Sequence, residues 1–80
     1  MPTGQQIRMA RAALKWSAKE LGERCGLAMK TIQRIESVEG VPASFQSTLA
    51  EIVATLEAAG IEFIGTPDDG PGIRLHKSKK

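Results

Sequence analysis

Residues 26–36 read GLAMKTIQRIE. At about 100° per residue on a helical wheel, Ala28, Ile32 and Ile35 fall on one side of this segment. Met29, Lys30, Gln33, Arg34 and the following Ser37 gather almost opposite. The first face asks for a core. The second is either a solvated face or a surface that reads a ligand, and the flanking sequence decides between the two.

Upstream, Thr3 followed three residues later by Gln6 has the form of a capping box, and Ile7, Ala10 and Leu14 recur behind it at helical spacing. This predicts a first helix over about residues 4–14. The same signature returns at Ser17 with Glu20 ahead of Leu21, and Gly26 supplies the left-handed position that commonly ends a helix. A short second helix over residues 18–25 follows, then a turn of about three residues, then a third helix over residues 29–36. Two short helices joined by a turn that begins with glycine match the helix-turn-helix unit. Gly22 is the small residue such a unit needs where its helices cross, and Leu21, Leu27, Ile32 and Ile35 can form the shared core.

Downstream, SVEGVPAS reads as a loop closed by Ser44 as the cap of a fourth helix. That helix runs over about residues 45–59, with Phe45, Leu49, Ile52, Val53 and Leu56 as its apolar stripe and Gly60 as its end. The period then changes from helical to alternating. Ile61 with Phe63, and Ile73 with Leu75, form two β-type faces separated by the turn-rich GTPDDGPG. These segments predict a β-hairpin over about residues 61–75 with a long loop, followed by a disordered basic tail over residues 76–80. The fold class is therefore mainly α, with four helices and a C-terminal two-stranded hairpin in one domain spanning residues 1–75.

Eighty residues with 41% hydrophobic content make one small domain whose thin core favours self-association. An isolated hairpin is marginal, so it must pack on a helix or pair its edge with a second copy. A homodimer through Ile61, Phe63, Ile73 and Leu75 is expected. The single Cys25 cannot form an intrachain disulfide and is expected to be a small buried residue. No signal-like start and no apolar run of membrane-spanning length occurs, so a cytoplasmic, nucleoid-associated protein without membrane contact is expected. The net charge of +2 hides a segregation. Residues 1–36 carry seven Lys or Arg against three Glu, residues 37–73 carry six acids and no base, and residues 74–80 are basic again. A polyanion would meet the first part of the chain, and the middle does something else.

The run from Gln5 to Glu36, with PASFQSTLAEIVATLEAAGIEFIG behind it, resembles the phage-repressor type of helix-turn-helix, the XRE family that includes Cro and lambda repressor. The most specific parts are LGERCGL and TIQRIE. The resemblance implies a lambda-repressor-like domain that binds double-stranded DNA and regulates transcription as a homodimeric repressor of a palindromic site. It places base contacts at Met29, Lys30, Gln33 and Arg34, and phosphate contacts at Ser17, Lys19, Thr31 and Ser37. Their chemistry suits the task. Lys30 or Arg34 can donate to guanine, Gln33 can pair with adenine, and Met29 can lie against a thymine methyl. The resemblance also implies a structural ion pair between Arg11 and Glu36. The chain departs from the family pattern at Ala18 and Ala28, where polar side chains usually stand, so the third helix is expected to begin without a side-chain cap.

Other chemistries find little in these residues. Asp68 and Asp69 sit in a turn-rich loop, Cys25 has no histidine near it, and His76 has no companion metal ligand, so neither an enzyme nor a cofactor or metal site is expected. Trp16, just ahead of Ser17, is expected to pack between the first two helices. The competing class is an interaction module of antitoxin or anti-activator type, in which the acidic middle and the hairpin hold a protein partner.

Overall fold

The structure, a computed structural model, describes residues 2–38, 40 and 46–76. The chain runs α1 (Gly4–Ala13), α2 (Ala18–Cys25), α3 (Met29–Glu36), α4 (Gln46–Ala58), β1 (Ile61–Thr66) and β2 (Asp69–Leu75). It is mainly helical with a two-stranded antiparallel hairpin. Among the described residues no helix is long and apolar enough to cross a membrane.

Local chemistry sets the helix ends. At the start of α1 the Thr3 hydroxyl accepts from the Gln6 amide at 3.0 Å and the Gln6 side chain accepts from the Thr3 amide at 2.9 Å, a complete capping box. α1 stops one residue short of the expected Leu14, which instead becomes its C-cap. The next residue, Lys15, turns left-handed with φ 61°, and the Lys15 and Trp16 amides donate back to Ala12 O and Arg11 O. Ser17 caps α2 by accepting from the Glu20 amide at 3.0 Å. The reciprocal half of that expected box is not made, because the Glu20 carboxylate takes the Arg24 guanidinium at 2.9 Å. Gly26, at φ 74°, ends α2. The expected cap Ser44 and the stripe residue Phe45 lie outside the described residues, and α4 is seen from Gln46.

Apolar burial joins these elements into one core of Ile7, Ala10, Leu21, Ile32, Ile35, Leu49, Ile52, Leu56 and Ile61, with Leu14, Trp16, Leu27 and Cys25 packed against it. Cys25 is half-buried rather than fully so, and burial pushes its thiol pKa up. Gly22 is needed for close approach. A Cβ there would stand 2.6 Å from the Leu27 carbonyl oxygen, so α2 can meet the turn before α3 only with a glycine at that point.

The hairpin is tighter than the sequence predicts. Only Pro67 and Asp68 lie between the strands, and the glycines taken for a long loop have other uses. The ladder is irregular between Ile64 and Thr66, where Gly65, at φ 76°, stands opposite both Gly70 and Pro71, and a Cβ on Gly65 would collide with Gly70 O. Pro71 sits inside β2. His76, expected in a disordered tail, is ordered: its amide donates to Gly60 O at 2.8 Å and continues the ladder past Leu75. Residues 77–80 lie outside the described residues. The His76–Gly60 bond also sets the phase of the ladder. Ladder bonds fall at Glu62–Arg74 and Ile64–Gly72, so the backbone groups of Ile61 and Phe63 face outward along β1, and those of Ile73 and Leu75 along β2. Pro71 shares the outer edge of β2 and has no N–H to offer there.

Ile61, expected at the dimer surface, is 3% exposed within a single protomer and its side chain belongs to the core, so what it leaves open is its backbone edge. Phe63, Ile73 and Leu75 pack on the same core but keep part of their surface open. On the opposite face Glu62 binds Arg74 at 3.1 Å and His76 at 2.7 Å. The His76 hydrogen bond is the main reason that the Glu62 carboxyl titrates below the usual range, with Arg74 adding to it. Stability from this exposed cluster is therefore present above the ordinary carboxylate pKa and is lost as pH falls through the lowered one.

Gln6 ties the hairpin to α1. Its side-chain amide donates to Ile64 O at 3.0 Å and to Gly72 O at 2.8 Å, bridging both strands at a residue that is 3% exposed. Gln6→Ala is expected to destabilise the domain by about 2–4 kcal/mol, since it opens the capping box and removes the two donors that tie α1 to both strands. Equilibrium urea unfolding measures that cost.

Candidate nucleic-acid interface

α3 presents two unlike faces. Ile32 and Ile35 are fully buried, and the helix is too short to stand without them. Met29, Lys30, Gln33 and Arg34 are all exposed, which brings the four expected base-contact residues onto one open surface. Met29 is 44% exposed and is the one large apolar side chain left in that state among the described residues. Neither Lys30 nor Arg34 is in a salt bridge among those residues.

The start of α3 lacks a side-chain cap, since Ala28 holds the N-cap position and makes no such bond. The helix is instead positioned from its far end. Arg11 on α1 donates from Nε to one Glu36 carboxylate oxygen at 2.7 Å and from Nη2 to the other at 2.9 Å. Its remaining nitrogen donates to Trp16 O at 3.0 Å, so one guanidinium links α1, the α1–α2 linker and α3. The Glu36 hydrogen bonds raise the Arg11 pKa above its ordinary value. Arg8 adds a further bond from Nη1 to the Glu36 carbonyl oxygen, satisfying the end of α3. The sequence reading missed Arg8, although a signal exists: it lies three residues before Arg11 and so shares its face of α1.

The expected phosphate contacts are placed less uniformly. Ser17 and Lys19 lie together at the start of α2; Ser17 Oγ accepts from Glu20 and keeps its own proton, and Lys19 is exposed. The first two amides of the helix, Ala18 and Lys19, have no acceptor within it. Thr31 is half-buried in the first turn of α3. The Ser37 hydroxyl donates to Arg34 O at 2.6 Å, so a phosphate could claim that proton only by replacing an internal bond.

No protein-family model matches this chain, and no curated protein matches it. Its functional reading therefore stands on the residues and their placement.

Trp16 and Arg24 lie outside the α3 surface. The Arg24 guanidinium rests 4.1 Å from the Trp16 ring centre, and the indole packs against the core. The α1–α2 linker is thus held at the Trp16 ring as well as at the Trp16 carbonyl. Among the described residues no three His, Cys, Asp or Glu side chains are grouped to hold a metal ion. The exposed acids Glu51, Glu57, Glu62, Asp68 and Asp69 belong to α4 and the hairpin, while Met29, Lys30, Gln33 and Arg34 belong to α3.

Proposed function

We propose that this chain is a lambda-repressor-like helix-turn-helix domain that binds double-stranded DNA by sequence and represses transcription by occupying its site. The observation that carries the reading is the exposed set Met29, Lys30, Gln33 and Arg34 on a helix whose opposite face is locked into the core. In the major groove the cations can donate to guanine O6 and N7, Gln33 can pair with the adenine edge, and Met29 can cover a thymine methyl. Ser17 and Lys19 would meet the sugar-phosphate backbone as α2 crosses it.

One such module reads only a few base pairs, so the proposal includes a homodimer. With Ile61 used inside the protomer, the hairpin offers its edge in place of its apolar face. β1 carries outward backbone groups at Ile61 and Phe63, whereas Pro71 interrupts the outer edge of β2, so β1 is the strand that favours pairing with a second copy. An open groove of about 370 Å³, lined by Val53, Phe63 and Pro2 among others, adjoins this strand and would receive apolar side chains from the partner. Light scattering across a concentration series tests this; a monomer throughout would remove the dimer from the proposal.

Selection of bound duplexes from a random pool is the decisive experiment. A palindrome with half-sites about one helical turn apart is expected. Affinity should fall steeply with salt, and Arg34→Ala should reduce preference at one or two base positions by about 1–3 kcal/mol each. No binding at low salt, together with stoichiometric capture of a protein partner, would replace this reading with the interaction module.

A further inference from the structure

Lys15 occupies a backbone conformation that favours glycine. It is the one non-glycine residue with positive φ among the described residues, at 61°, and the others, Gly26, Gly60, Gly65 and Gly70, need no side chain. The Lys15 amide donates to Ala12 O at 3.0 Å and the Trp16 amide to Arg11 O at 3.1 Å, the pair of bonds that ends a helix through a left-handed residue. Any Cβ at that position is disfavoured, because it crowds the following carbonyl.

Among the described residues no side-chain ion pair accounts for a lysine there. Its side chain is exposed. The backbone beside it is nevertheless fixed. Arg11 holds Trp16 O at 3.0 Å, Arg24 lies 4.1 Å from the Trp16 ring centre, and Ser17 begins α2. The ammonium is thus presented from a rigid base two residues before Ser17, on the linker that enters the helix proposed to cross the DNA backbone. Attraction to the negative end of α1 gives a lysine some local benefit. That benefit does not depend on DNA and can be separated by experiment.

We infer that Lys15 is a positioning contact to the DNA backbone, a cation set on a strained residue so that it meets phosphate whatever the base sequence. This rests on the proposed DNA reading. It assigns a place in the interface to a residue outside α2 and α3, and it makes stability and affinity change in opposite directions when the lysine is lost.

The test compares Lys15→Gly and Lys15→Arg with the unaltered full chain, using urea unfolding and salt titrations on both the selected duplex and a random-sequence duplex. Lys15→Gly is expected to raise the urea midpoint. It should weaken both duplexes about five-fold at physiological salt and make the slope of log affinity against log salt shallower by about 0.9, the value of one phosphate contact. Lys15→Arg should keep the original slope. An unchanged slope and affinity in Lys15→Gly, with the unaltered protein binding normally, would overturn the assignment and leave the DNA reading intact. Weakening confined to the selected duplex would overturn it as well, by showing a base contact. Failure of the unaltered protein to bind either duplex at low salt would remove the DNA reading and this assignment with it.

Discussion

Glu36→Ala is expected to destabilise the domain by about 3 kcal/mol, more than any substitution on the exposed face of α3. Glu36 is 5% exposed, and both its carboxylate oxygens take a bond from Arg11. Removing the carboxylate leaves the guanidinium facing the α1–α3 junction without its counter-charge, and breaking a buried pair from one side costs about 3–5 kcal/mol. Arg11 keeps 23% of its side-chain surface open, so water recovers part of that penalty and the lower end applies. The pair itself adds little beyond what apolar packing would supply. Arg11→Met combined with Glu36→Leu should therefore recover most of the loss, and a double-mutant cycle in urea unfolding would give a coupling of the order of the single-mutant cost. If Glu36→Ala shifted stability by less than about 0.5 kcal/mol, as exposed substitutions usually do, the junction would not depend on this pair.

The same junction shows how far the sequence carries. The limits of α2 and α3 are legible because their signals are local: Ser17 before one, Gly26 after it, and an apolar face at Ile32 and Ile35. The exposure of Met29, Lys30, Gln33 and Arg34 follows from the same periodicity. What was not legible depends on contacts between distant segments. Gln6 satisfies a capping box, so nothing in the sequence hints that its remaining protons bind Ile64 O and Gly72 O on two strands. Alternation places Ile61 on the inner face with Phe63, yet cannot tell that this face meets the core of its own protomer. The tight turn at Pro67 and Asp68 was hidden because glycine marks a loop and a bulge with the same letter. Lys15 carries no signal at all, since a lysine after a helix reads as an ordinary exposed cation until its φ is known.

Gly4→Ala reverses the sign that helix propensity assigns to it. Inside a helix alanine is favoured over glycine by about 1 kcal/mol, and Gly4 opens α1, so propensity alone predicts a more stable protein. The packing predicts the opposite. A Cβ on Gly4 would lie 2.2 Å from both Ile35 O and Val38 O, well inside the 3.0 Å that real Cβ contacts respect. Both obstacles are backbone atoms at the end of α3, so no rotamer change relieves them. α1 must then back away from α3, and the bonds from Arg11 and Arg8 to Glu36 span the same gap. Overpacking usually costs about 1–3 kcal/mol, and with these bonds strained as well a net loss of about 3 kcal/mol is expected. Urea unfolding gives the sign directly, and a more stable Gly4→Ala protein would show that α1 and α3 are not seated this closely. Gly22→Ala, whose Cβ would meet a single carbonyl at 2.6 Å, should lose less stability. Its clash acts on the turn before α3, so on the proposed DNA reading its duplex affinity should fall further than its stability, whereas Gly4→Ala should lose the two together.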